Sequence, residues 1–214
     1  EADRVLRDVR ERHGNEAVGM YLGNPGAHVL GAATHTRHLI KGLGAGAVFS
    51  ASTVDQMPRH VASGYLYGSG GSMPVPDIDR TDLFVCLGAN PYASNGSIAT
   101  VPDFPGRIEA LQERGGRMIV IDPRRSRTAE QADLHLPIRP GTDAVLLAAI
   151  VRQLLADGHV GSGSVADCLD GLDQLRAVVE PFTAAVAAEA TGISEASIEV
   201  LATEIGAADK AAVY

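Results

Sequence analysis

Short apolar runs alternate along the chain with longer segments of helical periodicity, and this alternation constrains the fold more than any other feature. Residues 17–22, 82–87 and 118–121 are predicted β-strands, and weaker apolar runs cover residues 134–138 and 211–214. Segments with a helical spacing of apolar residues lie between them. Such alternation is typical of a parallel sheet with helices on both faces. The sequence therefore predicts an open, mainly parallel α/β fold.

The pattern changes near residue 160, and we expect one region on each side of this point. Residues 1–160 contain most of the strands and form a predicted Rossmann-like α/β region. Residues 161–214 are mainly helical, with helical patterns over 167–190 and 194–207 before the last apolar run. We interpret this second region as a helical extension that returns to the sheet.

Composition argues against several kinds of partner. The chain has 214 residues and a formal net charge of −8, which argues against nucleic acid or an anionic membrane surface as a partner. Because no apolar stretch has the length of a membrane span and no targeting signal is visible, we expect a cytoplasmic protein. Cys86 and Cys168 lack iron–sulfur or zinc spacing, and we expect both to be small buried side chains.

Three predicted strands end in turns of similar composition, each followed by a predicted helix. The turns are Gly23-Asn24-Pro25-Gly26, Gly88-Ala89-Asn90-Pro91 and Asp122-Pro123-Arg124-Arg125. The carboxyl ends of parallel strands meet at one edge of a sheet, and ligands of such sheets bind there. Bare N–H groups at the helix starts favour an anion such as a diphosphate. The alternative is that these are ordinary turns between strands and helices.

Charged residues near these turns have two interpretations each. Asp122 can accept hydrogen bonds from ribose hydroxyls, or it can be a helix N-cap before Pro123. Arg124, Arg125 and Arg127 can neutralise a diphosphate or can simply be solvated. Asp143 opens a predicted helix, where it either favours the helix dipole or recognises a base edge.

Three blocks of sequence, in this order and at this spacing, carry a family resemblance. They are 87–91 (LGANP), 120–124 (VIDPR) and 132–143 (ADLHLPIRPGTD). The series resembles the molybdopterin oxidoreductase family, which includes formate dehydrogenases, nitrate reductases and dimethyl sulfoxide reductases. The resemblance covers roughly residues 17–214, nearly the whole chain.

The resemblance implies a cofactor and a set of contacts. In this family two molybdopterin guanine dinucleotides hold a molybdenum or tungsten atom, and the segment resembled binds one of the dinucleotides. The implied contact residues are Gly23, Asn24, Pro25, Gly88, Asn90, Pro91, Asp122, Pro123, Arg124, Arg139, Gly141, Thr142 and Asp143.

The chain also departs from the family pattern. Members usually begin with a domain whose cysteines hold an iron–sulfur cluster and end with a domain that binds the second dinucleotide, and we find neither here. We therefore expect a fragment of a larger enzyme, inactive in isolation, whose partners are the remaining domains of the parent enzyme, a small-molecule substrate and an electron-transfer subunit.

The protein ligand to the metal is a second departure. Many members place a cysteine, selenocysteine or serine shortly before a proline, and residues 53–58 (TVDQMP) contain none of these. Asp55 lies three residues before Pro58, at the position of the ligand in formate dehydrogenase-like members. Some nitrate reductases use aspartate, so the resemblance implies Asp55 as the molybdenum or tungsten ligand. The alternative is that Asp55 caps the helix that begins near Pro58.

Two other functions stay open from the sequence. One is a non-catalytic nucleotide-binding module, comparable with the central domain of thiamine-diphosphate enzymes. The other is a partner-binding subunit that kept the fold and lost the metal.

Overall fold

Parallel pairing of short strands organises the chain into two units. The computed structural model describes residues 1–23, 26, 29–94, 101–161 and 167–214. Unit 1 covers Glu1–Met73, and unit 2 covers Pro74–Tyr214. The strands are parallel and flanked by helices, which confirms the predicted fold class. The strands form two sheets where we expected one. The boundary near residue 160, between the α/β region and the helical extension, stays a prediction.

Unit 1 contains a two-stranded parallel sheet. Its elements in chain order are α1 (Ala2–His13), β1 (Gly19–Leu22), α2 (Leu30–Leu43), β2 (Ala47–Ser50) and α3 (Met57–Tyr67). Strand β1 pairs with β2 in the register Gly19↔Ala47 to Leu22↔Ser50.

The core of unit 1 is small. Among its described residues only Val18 and Ser63 are buried. Large apolar side chains instead face solvent, with Val54 86% and Tyr65 89% exposed. A two-stranded sheet has too little surface to cover its own apolar residues.

Unit 2 contains a four-stranded parallel sheet in the order β5-β4-β3-β6. Its strands are β3 (Leu83–Leu87), β4 (Arg117–Ile121), β5 (Leu134–Leu136) and β6 (Ala211–Val213). Apart from the exposed Arg117 at the start of β4, the two central strands are apolar, because both faces of the sheet are covered. Its helices are α4 (Pro91–Ser94), α5 (Phe104–Glu113), α6 (Arg127–Glu130), α7 (Asp143–Ala156), α8 (Leu172–Val179), α9 (Ala184–Thr191) and α10 (Glu195–Ala207).

Alternate residues of the central strands supply two separate apolar cores, because successive strand side chains point to opposite faces. Phe84 and Met118 pack with Phe104 of α5 on one face. Leu83 and Ile119 lie on the other face, in a core built with helices α7, α9 and α10. The strands that carry the edge described below are therefore held rigidly from both sides.

The cysteines and the C-terminal helices differ in part from expectation. Burial raises the pKa of the Cys86 thiol to about 12, so this thiol stays protonated at neutral pH. Cys168 is exposed, so the expectation that it is buried was wrong.

The helical pattern predicted over 167–190 is interrupted because Gly171 adopts a positive φ of 85° and Pro181 cannot continue a helix.

No helix in the described part of the chain is long and apolar enough to cross a membrane. The cytoplasmic location stays a prediction.

Candidate functional site

Three loops meet at the carboxyl edge of the four-stranded sheet. The register pairs Leu87 with Ile121, and Ile121 with Leu136, so strands β3, β4 and β5 end side by side. The loops that follow are residues 88–91, 122–126 and 137–142, which we call the edge loops. Loops at this edge form the ligand site of many open parallel sheets.

The first edge loop needs a glycine at its start. Gly88 has a φ of 63°, and its N–H donates to the Ile121 carbonyl at 2.8 Å. A Cβ at this position would meet no atom within 4 Å, so the backbone faces open space. Asn90 is half-buried, and Pro91 is buried at the start of α4. The loop therefore presents open main chain to an incoming group.

Asp122 is the first residue of the second edge loop and is not a helix cap. Its Oδ1 accepts the Arg124 backbone N–H at 2.7 Å, while the N-cap of helix α6 is Ser126. The imidazole Nε2 of His135 donates to the Asp122 carbonyl at 2.9 Å. Asp122 Oδ2 has no hydrogen-bond partner among the described residues. It is not fully enclosed either, because no described side-chain oxygen is both fully buried and unsatisfied. This oxygen is therefore available to a ligand.

A cluster of arginines follows Asp122 and Pro123 on the same loop. Arg124, Arg125 and Arg127 are all exposed. None of the three forms an ion pair with a residue that the structure describes, although arginines elsewhere, such as Arg117 with Glu204, are paired. Three guanidinium groups with no ion-pair partner among the described residues therefore lie within four residues of a chain whose net charge is −8.

The third edge loop leads into the longest helix of unit 2. Gly141 has a φ of 80°, and a Cβ there would meet nothing within 4 Å. The Thr142 hydroxyl donates to the Arg139 carbonyl at 2.6 Å, and Thr142 is the N-cap of α7. Asp143 is the first residue of that helix and is half-buried. Asp143 thus directly follows the third edge loop, which leaves β5 at the same edge of the sheet.

Arg139 makes structural contacts in this loop. Its guanidinium donates to the carbonyls of Ala190 at 2.6 Å and Glu189 at 3.1 Å, and its N–H donates to the Thr191 carbonyl at 2.8 Å. These are carbonyls at the end of α9, which lack partners within the helix. Arg139 thus fixes the loop against α9, and its contact with a cofactor stays a prediction.

Two residues near the edge loops were missed in the sequence. The Thr128 hydroxyl donates to Asn90 of the first edge loop, and the His135 imidazole donates to the Asp122 carbonyl of the second. Thr128 follows the arginine cluster directly, so its position beside the loop is visible in the sequence. Its partner, 38 residues earlier, is not visible there.

Unit 1 holds a second group of the predicted residues. A cavity of about 660 Å³ lies at the carboxyl ends of β1 and β2, and Gly23 and Asp55 both line it. Asp55 is exposed and is not the cap of α3, because that helix begins at Met57 with Gln56 as its N-cap. Asn24 and Pro25 lie outside the described residues. The described residues contain no cluster of three or more His, Cys, Asp or Glu side chains that could hold a metal ion.

These features define an α/β protein whose candidate ligand site lies at the carboxyl edge of a parallel sheet. Residues 2–192 match the family model of the molybdopterin oxidoreductases. The chain therefore belongs to the molybdopterin oxidoreductase family.

Individual relatives support this assignment. The F420-dependent formate dehydrogenase 1 subunit alpha of Methanococcus maripaludis is 30% identical over 154 residues, which are 72% of this chain and 22% of that protein. The nitrate reductase of Symbiobacterium thermophilum is 28% identical over 224 residues, covering 94% of this chain and 27% of the relative. The chain thus spans about a quarter of the length of these relatives.

A solved structure shares the fold. Acetylene hydratase from Pelobacter acetylenicus superposes with a TM-score of 0.72 at 20% sequence identity. The match covers 99% of this chain and 28% of that protein.

Proposed function

We propose that this chain binds one molybdopterin guanine dinucleotide within a larger molybdenum or tungsten oxidoreductase that carries two such dinucleotides. The observation that supports this most is the unpaired arginine cluster on the second edge loop. An acidic chain keeps three exposed cations together there, which favours a phosphate-bearing ligand. Family membership specifies which phosphate-bearing ligand to consider.

The residues at the edge fit such a group. Open space beside Gly88 and Gly141 lets a ligand approach the main chain closely. In the proposal Arg124 and its neighbours hold the diphosphate, Asp122 Oδ2 accepts from ribose hydroxyls, and Asp143 recognises the guanine. When bound, the metal cofactor supplies exchange of an oxygen atom or hydride equivalent with a small substrate, and passes electrons onward. This chain supplies binding, orientation and charge.

Asp143→Asn in the full-length enzyme is expected to lower the content of guanine dinucleotide. A carboxylate accepts two hydrogen bonds from the N1–H and N2 amine of guanine, whereas an amide turns a donor toward those donors. By analogy with bidentate base recognition the pairing is worth about 1–3 kcal/mol, which is roughly 5- to 150-fold in affinity. The measurement is guanine nucleotide released from the purified enzyme, per mole of protein.

Asp173→Asn is the matched control, because Asp173 also lies in the first turn of a helix. Its helix α8 packs near the other end of α7, where Arg176 donates to the Leu155 carbonyl. If Asp143 only favours the helix dipole, both variants lose the same small amount of stability and keep their cofactor. Normal loading of Asp143→Asn would remove the guanine assignment.

Asp55 is the residue we propose as metal ligand from this chain. It lines the cavity of unit 1 together with Gly23, and it does not cap the following helix. In the full-length enzyme Asp55→Ala is expected to remove one oxygen from the first shell of the metal, measured by X-ray absorption. Ser52→Ala, which changes the same cavity, is the control. An unchanged first shell in Asp55→Ala would reject this ligand.

The remaining partners in the proposal are the other parts of the parent enzyme. The exposed apolar side chains of unit 1, such as Val54 and Tyr65, need a covering surface. We propose that the remaining domains of the parent enzyme provide it, together with an iron–sulfur cluster and the contact to an electron-transfer subunit. The chain alone is then without redox activity.

A further inference from the structure

A buried threonine in helix α6, just after the second edge loop, is bonded to the first edge loop. The Thr128 hydroxyl donates to Asn90 Oδ1 at 2.8 Å, and the Thr128 backbone N–H donates to the same oxygen at 3.3 Å. The Thr128 Oγ1 in turn accepts the Tyr92 backbone N–H at 3.1 Å. Thr128 is fully buried. We call Asn90, Tyr92 and Thr128 the loop clasp.

The clasp lies beyond the end of the sheet ladder. Strands β3 and β4 are paired up to Leu87 and Ile121, and one further bond joins the Gly88 N–H to the Ile121 carbonyl. After that point the two chains diverge into the first and second edge loops. The second edge loop leads directly into α6, and the clasp bonds Thr128 of this helix to Asn90 of the first edge loop and to Tyr92 of α4.

The clasp also determines which group Asn90 can offer. Two donors converge on its Oδ1, which identifies that atom as the amide oxygen and occupies it. The Nδ2 amine has no hydrogen-bond partner among the described residues. Like Asp122 Oδ2, it is not fully buried, because no described side-chain nitrogen or oxygen is both fully buried and unsatisfied. With its oxygen occupied, Asn90 can offer a ligand only the donor Nδ2.

We propose that Thr128 is a positioning residue for the cofactor site: it sets the spacing of the first two edge loops and the orientation of the Asn90 amide. This inference rests on the proposed function above. Preorganised donors bind better than donors that must be ordered by the ligand. Thr128 acts only through Asn90 and the loop, because it is buried and cannot touch the cofactor itself.

The test uses the full-length enzyme with Thr128→Val, Thr128→Ser, Asn90→Ala and the double variant Thr128→Val with Asn90→Ala. The readout is the rate at which guanine dinucleotide is lost after dilution. Thr128→Val keeps the shape and removes the hydroxyl, so we expect loss at least about tenfold faster. Thr128→Ser keeps the hydroxyl and is expected to stay within about threefold of the wild type. The double variant is expected to be no worse than Asn90→Ala, since one residue acts through the other.

Three results overturn the proposal: wild-type retention in Thr128→Val, equal damage in Thr128→Ser and Thr128→Val, or additive effects in the double variant. If Thr128→Val does not fold, the serine and Asn90→Ala variants still decide, because faster loss in the serine variant rejects a role of the hydroxyl and normal retention in Asn90→Ala rejects the clasp. Replacing the arginine cluster distinguishes failure of the proposed function from failure of the inference about the clasp. If that change leaves loading normal, the proposed function fails and the clasp with it. If it removes the cofactor while Thr128→Val retains it, only the clasp fails.

Discussion

The full-length enzyme with Arg124→Gln, Arg125→Gln and Arg127→Gln is expected to lose most of its dinucleotide. These guanidinium groups are exposed and form no ion pair with a described residue, so their removal leaves no unpaired carboxylate behind. Bonds from a charged donor to phosphate are among the strongest available to a protein surface. Even with solvent screening, we expect the affinity to fall by more than about 100-fold for three such groups. Cofactor content is measured as guanine and metal per mole of protein.

The control makes the same change of charge elsewhere. The control variant carries Arg4→Gln, Arg7→Gln and Arg12→Gln, all on helix α1. In the wild type, Arg7 and Arg12 form exposed ion pairs with Asp3 and Asp8. Such pairs contribute little, so the control is expected to keep its cofactor. Equal loss in both triple variants would mean that net charge, and not the second edge loop, controls loading.

Phe104→Ala is expected to lower the free energy of unfolding of unit 2 by about 3–5 kcal/mol. Phe104 is 1% exposed and makes edge contacts with Phe84 and Tyr92, at centroid distances of 6.1 and 5.4 Å. Removing the ring leaves a cavity between α5 and the sheet that rigid strands cannot close. Chemical denaturation followed by far-ultraviolet circular dichroism measures the change.

Two further variants bracket this result. Phe104→Leu keeps much of the volume and should cost less than alanine. Val178→Ala removes an apolar side chain that is 65% exposed on α8, and it is expected to stay within about 0.5 kcal/mol of the wild type. A loss below about 1 kcal/mol for Phe104→Ala would contradict the packing described for this face of the sheet.

The central strands were predictable because both their faces are buried. Strand β3 and residues 118–121 of β4 are uninterrupted apolar runs, and each ends at a Gly- or Pro-containing turn. The division into two sheets was not predictable, because a strand pattern does not say which strands pair. The predicted helix over 167–190 failed in part because Gly171 and Pro181 outweigh the periodicity around them.

The candidate site was predictable at the level of loops and not at the level of contacts. Gly88 and Asp122 lie at one edge, and the loop that leads to Asp143 starts there, because parallel strands place their ends together. The hydrogen bonds of Arg139 to the end of α9 join residues about 50 positions apart. Contacts of this kind depend on the fold and leave no local pattern in the sequence, which is also why the role of Thr128 was missed.

The position of the bound dinucleotide in a structure of the full-length enzyme tests the central claim most directly. The proposal predicts a diphosphate within hydrogen-bond distance of residues 122–127, with guanine against the Asp143 carboxylate. It predicts the Asn90 amide nitrogen on the ligand side of the first edge loop. A dinucleotide bound away from the carboxyl edge of strands β3, β4 and β5 would contradict it.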